Sequence, residues 1–297
     1  MSSPNFKSEL DTVAKAVETA LDYWLPKPEG AQGVVAEAMR YAALGGGKRL
    51  RPFLMVQSAA LFGIKIDTVM PTASALECVH VYSLVHDDLP CMDDDDVRRG
   101  KPTVHKAYDQ ALAVLAGDGL LNHAFEILSD PKCHMDANVR LELISGLAKA
   151  GGVFGMIGGQ VIDITVAENE RDEAVIINLQ NLKTGALIEY GVMAGAILGG
   201  ASVAERTALG HYARDLGLAF QIKDDILDYE GDADVMGKAV QKDEDLGKAT
   251  FVSVMGLEGA KIRAETIGER AKNHLKMFGD KSIVLCQTVD FVLNRDH

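Results

Sequence analysis

Four cysteines are all that this 297-residue sequence holds, and Cys78, Cys91, Cys133 and Cys286 show no CxxC spacing. They read as reduced thiols in a cytoplasmic protein, mostly buried as small hydrophobes. Positive charge is also scarce. Thirty Lys and Arg against 43 Asp and Glu leave a net charge of −13, which argues against a nucleic-acid partner, since phosphate contacts need a basic surface. A phosphorylated small substrate stays open, because a bound metal inverts the sign of a local site. No uninterrupted apolar run reaches the roughly 20 residues of a membrane span, and the first residues, MSSPNFKSEL, carry no apolar signal core. Alternating runs joined by a hairpin turn are missing too, so no strand pair is expected.

What is present is helical period. Leu10, Val13, Ala14, Val17 and Leu21 fall at three- and four-residue steps and predict a helix from about Phe6 to Tyr23, ended by Pro26 and Pro28. Gly33 to Leu44 is a second helix. A glycine loop with cations, Gly45-Gly-Gly-Lys-Arg-Leu-Arg-Pro52, leads into a third. Pro71 sits where a first helical position is expected, opening a long helix. Helices are then predicted over Tyr108–Leu128, Ala137–Thr165, Asp172–Leu198, Val203–Tyr229, Thr250–Leu257, Ala260–Phe278 and Ser282–Arg295. Gly151, Gly152, Gly155, Gly158 and Gly159 crowd one of them. Glycine costs about 1 kcal/mol per interior helix position, so these imply a kink or a close backbone approach. The polar stretch Gly231–Lys248 reads as a flexible loop. The expectation is one all-α domain over residues 1–297.

The chain is organised around Leu84–Lys101, LVHDDLPCMDDDDVRRGK, where six aspartates lie between Asp87 and Asp96 at the end of an apolar segment. A second acidic cluster, FQIKDDILD, ends at Asp228. Asp224 and Asp228 are i and i+4, stacked on one helical face. Their repulsion calls for an offset, which a hard cation such as Mg²⁺ supplies through oxygen ligands. Asp93 lies six residues after Asp87, about 240° round a straight helix, so Pro90 must break the helix to bring it back. A single acidic run is ordinarily a solvated face; two runs, each after an apolar segment and each with basic neighbours, favour a pair of facing metal sites that hold a diphosphate. Calcium storage is a weaker alternative, because the 12-residue calcium loop pattern is absent.

DDLPCMD, DDDDVRRG, GGKRLRP, KTG and FQIKDDILD together resemble the signature set of the short-chain trans-prenyltransferases, the polyprenyl diphosphate synthases. The resemblance spans nearly the whole chain, in order, and is greatest to the bacterial farnesyl diphosphate synthases. It implies an isoprenoid synthase helical bundle around a central cavity, usually a homodimer. It also implies three Mg²⁺, for which Mn²⁺ substitutes, held by Asp87, Asp88 and Asp93 on one side and Asp224, with Asp225 and Asp228, on the other. Asp243 matches a looser metal contact. By the same resemblance Arg98, Lys183, Thr184, Lys238 and Lys248 touch the allylic diphosphate. Lys48, Arg51, His80 and Arg99 bind isopentenyl diphosphate without metal, and Gln160 and Gln221 lie near the substrates. The loop Gly231–Lys248 would be a lid. Lys223 departs from the glutamine more usual before the second motif.

Tyr82 and Ser83 lie five and four residues before Asp87, one helical turn down. An aromatic residue at that place resembles enzymes that stop at the C15 product, with Tyr82 as the cavity floor. The DDLPCMD wording also occurs in geranylgeranyl diphosphate synthases, the main alternative within the family. A terpene cyclase is a more distant one, because cyclases replace the second aspartate motif and lack the Lys48, Arg51 and His80 pocket. A non-catalytic partner subunit ordinarily loses aspartates, and none is missing here.

Overall fold

Residues at helical spacing bury one stripe and fold accordingly. The computed structural model describes residues 6–166, 172–231 and 250–295. In it α1 (Phe6–Trp24) buries Leu10, Val13, Val17 and Leu21. α2 (Gly33–Ala43) and α3 (Leu50–Ala60) follow. α4 (Ile66–Asp87) is buried without a break from Val69 to Val79. A helix apolar on all faces belongs at the centre of a core, and α4 packs against α1, α3 and α6 (Gln110–Ser129). A short α5 (Val104–Ala107) precedes α6. Then come α7 (Ala137–Gly151), α8 (Met156–Thr165), α9 (Glu173–Gln180), α10 (Ala186–Leu198), α11 (Val203–Glu230), α12 (Phe251–His274) and α13 (Ile283–Leu293).

The chain forms two compact units. One comprises Met1–Leu147 with Ala194–Gly200 and is built round α4; the other comprises Ala148–Met193 with Ala201–His297. The second centres on α11 packed against α12, with Leu218, Ile222, Ile226, Phe251 and Ile267 in its core.

The all-α class holds, with local corrections. Val97–Arg98 (β1) and Lys101–Pro102 (β2) pair antiparallel, where no strand pair was expected. Arg99 and Gly100 both have positive φ, 53° and 74°, as a two-residue hairpin turn requires. Strands of two residues are too short to show alternation. Pro71 lies inside α4, not at its first position. It costs one backbone hydrogen bond there, and the burial of the surrounding helix outweighs the loss. The predicted helix Ala137–Thr165 is broken between Gly151 and Met156. The two predicted helices after Thr250 run together across a break at Gly256 (φ 74°, ψ 160°) and end at His274. Gln110–Ser129 and Ala137–Thr165 are long and apolar enough by composition to cross a membrane. The first, however, packs on α4, and the second is the broken one.

Candidate active site

α4 ends at Asp87, three residues ahead of Pro90. A proline disfavours helical geometry in the residue before it and has no N–H to donate. The chain then folds back. The Met92 amide donates to the Leu89 carbonyl at 2.8 Å, and the Asp93 amide donates to the Asp87 carbonyl at 2.8 Å. The backbones of Asp87 and Asp93 therefore touch, although a straight helix would separate them. Asp88 is buried, and its carboxylate accepts from Arg98 Nε at 2.6 Å. Arg98 also reaches Asp95 at 3.4 Å. Burial opposes the charge on Arg98, but the bond to Asp88 and the nearby carboxylates outweigh it and its pKa is raised. Two residues expected to serve metal and diphosphate separately are thus paired with each other.

Beside this group lies a cluster of cations. Arg51 donates to His80 Nε2 at 3.2 Å, which makes that nitrogen the acceptor and the imidazole neutral. Burial first, then the charges of Arg51, Arg99, Arg49 and Arg98, hold the His80 pKa well below its ordinary value. Arg99 donates to the Gly46 carbonyl and lies over Gly47, where a Cβ would stand 2.8 Å from its Cζ. Gly47 has φ 126°, a backbone conformation that favours glycine. Lys48 is exposed in the same loop. Arg49, which the motif reading passed over, points inward and is 3% exposed. It bonds to Glu77, to Glu18 at 2.5 Å and to the Ala43 carbonyl at 2.5 Å. The signal was Glu77: an acid inside an apolar helix demands a counter-ion.

Tyr82 is 5% exposed, and its hydroxyl is buried with no hydrogen-bond partner. Burial and the Asp87 charge push its pKa up to about 12. Ser83 donates to the His80 carbonyl at 2.8 Å. Asp94, Asp96 and His105 also offer donor atoms within 4.8 Å of one another, but Asp96 already pairs with Lys106 at 2.8 Å.

In the other unit the second acidic cluster rides on α11. Asp224 accepts from Arg295 at 2.5 Å and from Gln221 at 3.3 Å. Arg295, also not anticipated, lies 3.9 Å over the Phe220 ring and donates to the Phe220 carbonyl. Asp225 accepts from the Phe251 amide at 2.6 Å, at the start of α12, where a carboxylate suits the helix dipole. Asp228 is exposed and Lys223 half-buried. Lys183 and Thr184 sit in a π-helical turn, Asn181–Gly185, between α9 and α10; such turns often mark functional positions. Lys183 Nζ donates to Asp163 at 2.6 Å. A Cβ on Gly159 would meet the Lys183 backbone nitrogen at 2.2 Å, so one glycine of the cluster does serve a close backbone approach. Gln160, next to it, is half-buried. Lys238, Asp243 and Lys248, and with them the loop expected to act as a lid, lie outside the described residues.

Carboxylate oxygens are the ligands a hard divalent cation such as Mg²⁺ takes, and each of the two aspartate clusters offers them. The sequence profile of the polyprenyl synthetase family matches residues 32–281. The chain belongs to the polyprenyl synthetase family. It is a prenyltransferase by that membership. It is 41% identical to a farnesyl diphosphate synthase of Geobacillus stearothermophilus over 292 residues, 97% of each chain. It is 40% identical to a geranylgeranyl diphosphate synthase of Cyanophora paradoxa, over 91% of this chain and 90% of that one. A crystal structure of an FPP/GFPP synthase from Zymomonas mobilis superposes with a TM-score of 0.87 at 47% identity, covering 97% of this chain and 99% of that one.

Proposed function

We propose that the chain joins isopentenyl diphosphate head-to-tail to dimethylallyl and then geranyl diphosphate, giving C15 farnesyl diphosphate. One observation carries the reading: the cation cluster around His80 and the start of the aspartate motif share α4, where Arg51 bonds to His80, Arg98 bonds to Asp88 just past the helix end, and the chain beyond the break brings Asp93 back onto the Asp87 backbone. Arg51, Arg99 and Lys48 would hold the isopentenyl diphosphate by charge alone. Asp87, Asp93 and Asp224 would hold Mg²⁺, with Asp88, Asp225 and Asp228 supporting, and Lys183, Thr184 and Arg98 would engage the allylic diphosphate. Bound there, Mg²⁺ supplies Lewis-acid stabilisation of charge on the leaving oxygens. The allylic C–O bond breaks with its electron pair passing to the diphosphate. The isopentenyl double bond attacks the allylic C1, and a C2 proton is lost to the departing diphosphate. The buried Val81 and Val85 that flank Tyr82 on α4 would help exclude water that quenches the cation.

Tyr82 supports the C15 limit. The geranylgeranyl-forming relatives near 40% identity keep a C20 product as the second reading. We also propose that both units act as a single catalytic domain and that the protein is a homodimer, as the resemblance implies, which light scattering tests. The deciding experiment incubates the protein with Mg²⁺, labelled isopentenyl diphosphate and, separately, dimethylallyl, geranyl or farnesyl diphosphate. Farnesol after dephosphorylation, with little use of farnesyl diphosphate, is the expected result. Geranylgeraniol moves the product to C20, and no condensation overturns the reading.

A further inference from the structure

Arg49 stands between Lys48 and Arg51, yet it faces the other way. Its backbone is left-handed, φ 48°, a conformation a side-chain-bearing residue rarely takes. Its guanidinium spans three elements: Glu18 on α1, Glu77 on α4 and the last carbonyl of α2, Ala43. Glu77 is 1% exposed. A charge buried there persists only when paired and bonded. The loop Gly45–Lys48, which Arg99 grips through the Gly46 carbonyl, is therefore anchored from beneath by two carboxylates. The same carboxylates also act on Arg99, offsetting part of its repulsion by Arg49, although burial and that repulsion still leave its pKa lowered. With no anion bound, cations crowded round a neutral His80 should drive one another apart; Glu18 and Glu77 oppose this.

We propose that Arg49, with Glu77 and Glu18, is a positioning group that preorganises the isopentenyl diphosphate pocket, locking the glycine loop so that Lys48, Arg51 and Arg99 converge before substrate arrives. It touches no substrate itself. The inference rests on the pocket assignment given above, and the test separates the two.

Glu77→Gln keeps the shape and one hydrogen bond but removes the counter-charge; Arg49→Lys keeps the charge but cannot bridge three partners. Arg49→Ala risks misfolding, so these two carry the test, with melting curves as the check on folding. Isopentenyl diphosphate binding is measured by calorimetry without metal, and KM for geranyl diphosphate by kinetics. Lys48→Ala serves as the control for the pocket itself. Both variants are expected to weaken isopentenyl diphosphate binding about tenfold (about 1.4 kcal/mol) with KM for geranyl diphosphate within twofold. Unchanged isopentenyl binding in a folded Glu77→Gln, while Lys48→Ala binds weakly, overturns the positioning role and leaves the pocket standing. Equal weakening toward both substrates overturns it as well, by showing a merely structural part. Full binding in Lys48→Ala overturns the pocket assignment and the inference with it.

Discussion

The Tyr82 hydroxyl is buried without a partner, and such a group costs about 1–3 kcal/mol. Tyr82 stands near the end of α4, close enough to feel the Asp87 charge. If its ring closes the cavity in which the prenyl chain grows, Tyr82→Ala lengthens the product toward C20 or beyond, read by chromatography of the dephosphorylated alcohols. A ring bordering open space also loses less on truncation than the roughly 3–5 kcal/mol of an aromatic packed on all sides. An active variant with unchanged products would sink the floor role. His80 gives a pH prediction. Its folded pKa lies well below 6.5, so below that pH the unfolded chain takes up the proton first. Stability is then lost as pH falls from about 6.5 toward the folded pKa, by at most about 1.4 kcal/mol per unit. His80→Asn should flatten this part of the pH–melting curve; an unchanged slope would show that other groups carry it.

At the scale of elements, the π turn Asn181–Gly185 and α8 meet at Gly159, where no Cβ fits against the Lys183 backbone. Gly159→Ala should cost about 1–3 kcal/mol by overpacking and displace Lys183. KM for geranyl diphosphate should rise, with isopentenyl diphosphate binding unaffected because its pocket is built elsewhere in the chain. Equal effects on both substrates would deny Lys183 its place at the allylic diphosphate. The same elements show what the sequence discloses. Period and punctuation placed α1 and α11 but set the start of α4 at Pro71, five residues late; the six-residue aspartate spacing required the break that the Asp93–Asp87 hydrogen bond closes. Pairings across long stretches of chain left no local trace. The bonds of Arg49 to Glu18 and of Arg295 to Asp224 join residues 31 and 71 apart. The motif reading treated Arg98 and Asp88 as separate contacts because spacing alone gives no side-chain direction. The β1–β2 hairpin escaped because its turn is Arg-Gly and its strands are two residues each.

For the whole molecule the decisive fact is charge. At −13 overall the protein repels polyanionic substrates in bulk, so each diphosphate needs a local reversal of sign, and the two reversals differ in kind. One is built from arginines around a neutral histidine and is present in the bare chain. On the proposed reading the other is built from carboxylates and would become attractive to a diphosphate only when divalent metal is bound. Arg295, paired with Asp224, partly neutralises the second cluster until then. Chelation by EDTA should therefore abolish condensation and the binding of geranyl diphosphate while leaving isopentenyl diphosphate binding within about twofold. In Arg295→Met the bare chain loses a partner for Asp224, so added Mg²⁺ with pyrophosphate should raise its melting temperature by more than it does for the unaltered chain. Calorimetry of each substrate with and without metal checks the first expectation and thermal melts the second. If both diphosphates need metal equally, the division of labour between the arginine and aspartate clusters falls.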